Sequence, residues 1–323
     1  MSNNTKLFQD YLQSIVQKEE PAGLYQPISY LLQLGGKRIR PLLTLMAVDI
    51  FNGKPEGGLP AALAVELFHN FTLMHDDIMD EAPLRRGQPT VHEKWDLNTG
   101  ILSGDAMLIQ AYQSLEAYPD LLFGRLTRLL SRTAIEVCEG QQYDVDFETQ
   151  TQVSQEAYLE MIRLKTAVLV GCALKMGAVI GGAAEEDAQA IYDFGVLLGT
   201  AFQIQDDYLD AFGDPKIFGK QVGGDILENK KTILYHQAMI QGSVEDQRIL
   251  TEWFSKKTTA SVSEEKIKIV KLLFDSSGAT EATKALVVQY TEAAFEKLET
   301  IQIDAQSKVH LKVFGQNLME RKF

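Results

Sequence analysis

The sequence predicts an all-α protein, and three observations carry that reading. Apolar residues recur at helical spacing along most of the 323 residues, whereas strand-like alternation is rare and β-branched runs are short. The periodic segments are bounded by proline, glycine or polar clusters of the kind that start and stop helices. No linker-like stretch, low-complexity tract or short tandem repeat divides the chain, so a single domain spanning residues 1–323 is the simplest organisation.

The elements follow in order. The opening "MSNNTKLFQDYLQSIVQKEEP" lacks a continuous apolar signal core. "LPAALAVELFHNFTLMHDDIMDEAP" is the clearest helix. Pro60 suits its first turn, Pro83 marks its end, and Leu63, Leu67, Phe71 and Met74 share one face. Further helices are expected from near Ser103, through "LSRTAIEVCEGQQYDVDF", and along "QEAYLEMIRLKTAVLVGCALKMGAVIGG". Residues 166–184 form the most lipid-like run, but Lys175 interrupts it, and a charge at mid-bilayer is costly. A buried helix is expected there, not a membrane span. "EEDAQAIYDFGVLLGTAFQIQDDYLDAFGDP" is the second long helix, with Pro215 just past its acidic end. "KIFGKQVGGDILENKK" is glycine-rich and basic and reads as a loop. Helices resume after it, with polar breaks near "SKKTTASVSEEK" and "FDSSGAT".

Composition narrows the function. A net charge of −13 argues against a nucleic-acid partner, which requires a basic face. The two cysteines, Cys138 and Cys172, have no metal-type spacing and make no disulfide framework, which suits a reducing cytoplasm.

The chemistry concentrates in a pattern that occurs twice, Asp-Asp-x-x-Asp in "HDDIMD" and "QDDYLD". Residues four apart share a helix face, so Asp76 pairs with Asp80 and Asp206 with Asp210. Asp77 and Asp207 are rotated away by about 100° and take a supporting part. Two carboxylates a turn apart near a helix C-terminus repel each other and meet the unfavourable end of the macrodipole. A divalent cation removes both costs. Oxygen-only donors favour Mg²⁺, Mn²⁺ or Ca²⁺, and Mg²⁺ is commonly held by one or two carboxylates, waters and substrate phosphates. Cations that could meet such phosphates lie nearby in sequence: Lys37, Arg38 and Arg40 behind a double glycine, Arg85 and Arg86 after the first cluster, Lys165 in "RLKTAV", and Lys220, Lys230 and Lys231 after the second. No EF-hand, Walker A, GxGxxG, HExxH or GxSxG arrangement is present.

"GGKRIRP", "HDDIMDEAPLRRGQPTVH", the Lys-Thr after Leu164, "FQIQDDYLDAFGDP" and "GK…GGDILENK" occur in this order across nearly the whole chain. In this the sequence resembles the trans-isoprenyl diphosphate synthases, or polyprenyl synthetases. The resemblance implies a bundle of about a dozen helices around a central active-site cavity (the isoprenoid synthase type I fold), usually a homodimer. It implies condensation of isopentenyl diphosphate with an allylic diphosphate. Asp76, Asp80, Asp206 and Asp210 would bind Mg²⁺ in a three-ion cluster, with Mn²⁺ as a substitute. Arg85, Lys165, Thr166, Gln203, Lys220 and Lys230 would contact the allylic substrate, and Lys37, Arg40, His69 and Arg86 would hold isopentenyl diphosphate. Asp76, Asp80, Arg85, Lys165, Asp206 and Lys220 form the implied catalytic set.

One helical turn rises 5.4 Å, close to one isoprene unit, so the helix before the first cluster can act as a ruler for the growing tail. Phe71, Phe68 and the small Thr72 stand five, eight and four residues before Asp76. This pattern most resembles archaeal-type geranylgeranyl synthases, which favours a C20 product over C15. Two alternatives stand beside it. A class I terpene cyclase shares the first acidic motif but normally replaces the second. A noncatalytic subunit tends to lose the aspartates, and here all are present.

Overall fold

The computed structural model describes residues 2–15, 20–150, 152–214, 222–255 and 263–320. In chain order its helices are α1 (Ser2–Ile15), α2 (Ala22–Gln33), α3 (Ile39–Ile50), α4 (Leu59–Met79), α5 (Val91–Lys94), α6 (Leu97–Ser114), α7 (Asp120–Thr149), α8 (Gln155–Ile162), α9 (Val168–Gly181), α10 (Glu185–Phe212), α11 (Gly224–Leu227), α12 (Ile233–Gln241), α13 (Val244–Ser255), α14 (Ser263–Ser276), α15 (Ala279–Glu299) and α16 (Ala305–Glu320). A two-residue antiparallel ladder, β1 (Leu84–Arg85) with β2 (Gln88–Pro89), is the sheet found among the described residues. The all-α expectation therefore holds.

Two compact units emerge: Met1–Arg132 with Cys172–Tyr192, and Thr133–Gly171 with Asp193–Phe323. In the first, α4 is the core element. Leu59, Ala61 to Phe68, Asn70, Phe71, Met74 and Asp77 are all buried. A helix apolar on nearly every side belongs inside a bundle, and α4 packs between α3 and α6, with α1 and α2 completing the layer. Pro60 lies in its first turn, and the helix stops at Met79 with Asp80 as C-cap. Helix α6 starts at Leu97, earlier than expected, because the Asp96 carboxylate accepts from the Thr99 amide at 2.8 Å.

The second unit has two buried clusters. One gathers Leu234, Leu250, Phe254, Val270 and Phe274 from α12, α13 and α14. The other gathers Tyr158, Met161, Ile162, Ile204 and Ile233 beneath the acidic end of α10. The stretch read as a loop after α10 contains the one-turn helix α11, and the break at "FDSSGAT" separates α14 from α15.

The run Gln155–Gly181 is long and apolar enough to cross a membrane, but 72% of its most apolar window is buried in protein. Lys175 there is bonded to Gln189 at 2.7 Å and lies 3.1 Å from Glu185. It behaves as a core helix with a partnered cation.

Candidate active site

The first unit carries the first acidic cluster. Asp76 and Asp80 stand one turn apart, tied by the Asp80 amide donating to the Asp76 carbonyl at 2.9 Å. Asp77 turns inward and is 3% exposed, as its 100° offset requires. Arg85 grips it with two prongs, Nε to Oδ2 and Nη2 to Oδ1, both at 2.7 Å, and the same guanidinium lies 3.8 Å from Asp76. Burial raises the Asp77 pKa, and Arg85 pulls it back.

Arg85 reaches Asp77 because it ends β1. Arg86 and Gly87 form the hairpin turn with φ of 53° and 75°, the double left-handed geometry of a tight two-residue turn. The turn sends Arg86 towards the "GGKRIRP" loop, where its Nη1 donates to the Gly35 carbonyl. Gly36 is favoured there by its φ of 126°, and a Cβ would stand 2.7 Å from the Arg86 guanidinium, which would have to shift.

In the same unit Arg40 Nη1 lies 3.2 Å from His69 Nε2. A guanidinium only donates, so Nε2 is the acceptor and the imidazole is neutral with its proton on Nδ1. Burial, then Arg40, Arg86, Arg85 and Arg38, push the His69 pKa well below its usual value, in agreement. The unit thus gathers Arg40, His69, Arg85 and Arg86 into an anion-attracting cluster. Lys37 is exposed on the adjoining loop.

Of the length-setting candidates on α4, Phe68 and Phe71 are buried and Thr72 is half-buried. Phe68 is fully buried and packs against Phe71, ring centroids 5.6 Å apart. Phe71 makes an edge contact at 4.8 Å with His75, whose Nε2 bonds to the Ile101 carbonyl at 3.2 Å. The Thr72 hydroxyl turns back to the His69 carbonyl at 2.8 Å. Relative to Asp76, Thr72 is rotated by about 40°, Phe68 by about 80° and Phe71 by about 140°.

The second unit carries the second cluster beside a cavity of about 140 Å³, whose lining includes Lys165, Thr166, Gln203, Asp207, Asp225 and Lys230. Asp207 is 4% exposed. It accepts from the Tyr158 hydroxyl at 2.5 Å, from Gln203 at 3.1 Å and from the Ile233 amide at 3.5 Å. Burial and then Asp225 raise its pKa well above the usual value, against these hydrogen bonds. Thr166 donates to Gln203 at 3.3 Å, so the Lys-Thr pair and the acidic helix form one network.

Lys165 and Thr166 sit in a π-helical turn, Arg163–Ala167. Such bulges re-aim side chains and recur at functional sites. Gly140 of α7 permits it, since a Cβ there would stand 2.3 Å from the Lys165 amide nitrogen. Lys165 donates to Asp144 at 2.5 Å, and Lys230 pairs with Glu228 at 3.1 Å. Asp210 braces the "GGD" turn: its carbonyl accepts from Gly223 at 2.7 Å and its carboxylate from the Asp225 amide at 3.0 Å. Lys220 lies outside the described residues.

Sequence reasoning missed Asp144, Tyr158, His75, Glu66 and Asp225. Asp225 had a local signal, an acid directly after two glycines. The others become visible only through tertiary contacts.

Among the described residues, no three His, Cys, Asp or Glu side chains converge as a ready-made metal cage. The oxygen-only pairs on α4 and α10 fit Mg²⁺, which takes few carboxylates and completes its shell with water and phosphate. They do not suit Zn²⁺, which wants a closed set of nitrogen and sulfur ligands.

Residues 21–273 match the family model described as polyprenyl synthetase. The chain belongs to the polyprenyl synthetase family. This synthetase is 37% identical over 325 residues to the geranylgeranyl pyrophosphate synthase of Geoglobus acetivorans, covering 99% of this chain and 98% of the relative. It also resembles a crystal structure of a geranylgeranyl pyrophosphate synthase with a TM-score of 0.96 and 52% identity, covering 100% and 99% of the two chains. A Corynebacterium glutamicum geranylgeranyl pyrophosphate synthase, solved with isoprenyl diphosphate and magnesium, matches with a TM-score of 0.84 and 28% identity over 99% and 97%. Geranylfarnesyl diphosphate synthases of Natronomonas pharaonis and Aeropyrum pernix are also among the relatives of this synthetase, at 32% and 34% identity over 94% and 90% of this chain and 92% of each relative.

Proposed function

We propose that this polyprenyl synthetase is a prenyltransferase that condenses isopentenyl diphosphate with allylic diphosphates, with geranylgeranyl diphosphate (C20) as its product. The observation that carries the reading is shared by both acidic helices. In each, the middle aspartate is buried and held by the protein, through Arg85 or Tyr158, while the outer two, one turn apart, are not buried. Likeness to geranylgeranyl synthases over almost the full chain supports the product class.

Asp76 and Asp80, and Asp206 and Asp210, are assigned to Mg²⁺. When bound, Mg²⁺ draws charge from the departing diphosphate. Lys165, Thr166, Gln203, Lys220, Lys230 and Arg85 orient the allylic diphosphate and stabilise charge growing on its oxygens. Lys37, Arg40 and Arg86 hold isopentenyl diphosphate, and neutral His69 aims Arg40 at it. The apolar residues of α4 exclude water from the allylic cation while the double bond attacks. Proton loss to the released diphosphate completes the step.

Residues 1–323 are assigned to one catalytic domain, since the chain passes from unit to unit inside helices α7, α9 and α10 and not through linkers. A homodimer is assigned from the exposed Leu97, Ile101, Leu102 and Ile109 on α6, and a cytoplasmic setting from the water-soluble substrates.

The test is mass analysis of products from purified protein, Mg²⁺, isopentenyl diphosphate and C5, C10 or C15 starters. Linear C20 diphosphate from each starter is expected, and a Phe68→Ala/Phe71→Ala variant is expected to lengthen the product. Hydrocarbon or alcohol formed without consuming isopentenyl diphosphate would show a cyclase instead. Unchanged product length in the variant would remove the ruler role.

A further inference from the structure

In "GGKRIRP" the Arg38 side chain is withdrawn from the surface, 8% exposed, and its partner Glu66 is 3% exposed. Its backbone is in the left-handed region, φ 49° and ψ 38°, a conformation that a residue with a Cβ adopts only at an energetic cost. It stands as N-cap of α3 with no side-chain cap to compensate. A strained residue persists only where its surroundings hold it, and three contacts do so here. Arg38 Nη1 pairs with Glu66 of α4, and Nη2 donates to the Leu32 carbonyl at the end of α2. Glu66 is fixed in turn by Asn70, whose amide donates to both the Glu66 carboxylate and its carbonyl at 2.8 Å. One guanidinium fork therefore ties α2, α3 and α4 together, one turn of α4 before His69.

We infer that Arg38 and Glu66 are positioning residues for the isopentenyl diphosphate site. The fork locks the loop in the left-handed turn that presents Lys37 on one side and Arg40, with His69, on the other. Glu66 is present for this grip although a carboxylate beside an anion site opposes anion binding by simple Coulomb repulsion. This inference rests on the assignment of Lys37 and Arg40 to isopentenyl diphosphate.

That opposition of signs makes a test. If Glu66 acted only through its charge, Glu66→Gln would relieve repulsion and lower the KM for isopentenyl diphosphate. If it positions the loop, the same change raises that KM on the order of 10-fold, with the allylic KM and kcat within about 2-fold. Arg38→Lys retains the charge, but one ammonium cannot reproduce the fork on two helices. It should raise the isopentenyl diphosphate KM similarly, and would do so even if Glu66→Gln failed to fold. A lowered or unchanged KM in Glu66→Gln overturns the proposal, as does a wild-type KM in Arg38→Lys. Arg40→Ala is the separate control. If it leaves the isopentenyl diphosphate KM unchanged, the site assignment itself falls, whatever the Glu66 variant does.

Discussion

In α4 the middle aspartate of the acidic motif is answered by a cation, Arg85, through two 2.7 Å contacts. In α10 the middle aspartate is answered by neutral donors, the Tyr158 hydroxyl, the Gln203 amide and a backbone N–H. Both carboxylates are buried and both pKa values are raised; burial and then Asp225 drive Asp207 well above its usual value, whereas at Asp77 the Arg85 hydrogen bond and charge oppose the effect of burial. The same letters thus fold into two different supports. The first holds an arginine 3.8 Å from Asp76. The second ties the acidic helix to the Lys-Thr turn through Gln203 and Thr166. A motif specifies which faces its carboxylates occupy, whereas the neighbours specify what the inward carboxylate holds in place.

The comparison can be broken most strongly at the outer aspartates. Asp76→Asn and Asp206→Asn should each lower kcat by ~10²–10³-fold, in the range seen when charge stabilisation of a transition state is removed. Stability should stay level or rise by a few tenths of a kcal/mol as like charges are removed. Steady-state kinetics with a parallel melting curve checks both, and near-normal kcat in either variant would remove that residue from the metal site.

The next effect separates the inner pair. Asp77→Asn removes the charge that pairs with Arg85 and one of the two oxygens it grips, and should cost about 3 kcal/mol. Asp207→Asn keeps an oxygen that can accept from Tyr158 and should cost about 1 kcal/mol. Urea unfolding of the two variants gives the ranking, and equal losses would erase the distinction between charged and neutral support.

A smaller effect sharpens the description of the second support. His236 packs its ring against Tyr158 and Tyr235, at 5.5 and 5.7 Å. Burial lowers its pKa from 6.5 to about 4, while a hydrogen bond with the Lys231 backbone opposes the shift. The unfolded chain takes up this proton as pH falls below 6.5, and the folded protein does so only near 4. Stability is therefore lost across that window, at most by about 3 kcal/mol at the acid end. His236→Gln should flatten this part of the acid limb in urea titrations at pH 7.5, 5.5 and 4.5. Parallel acid limbs in the two proteins would show that the imidazole is not held neutral.

Much of the architecture is legible in the sequence. Pro60 and Pro83 bracket α4, and the fixed 100° turn per residue separates Asp76 and Asp80 from Asp77. The start of α6 was misplaced because its signal is a single capping acid, Asp96, ahead of a weakly periodic stretch. The π turn at Lys165 was not legible, because it depends on a glycine far away in sequence, Gly140, that lets another helix approach.

The helical class, the two carboxylate pairs and the family are written in local periodicity and in short motifs in a fixed order. Which charges are spent inside the protein is set by folding: Arg38 on Glu66, Arg85 on Asp77, Lys165 on Asp144, and Asp207 on Tyr158. The physical reason is range. Helical spacing acts over a few residues, whereas the pairing of a buried charge is set by whichever group, 8 to 49 residues away, folding brings to its face.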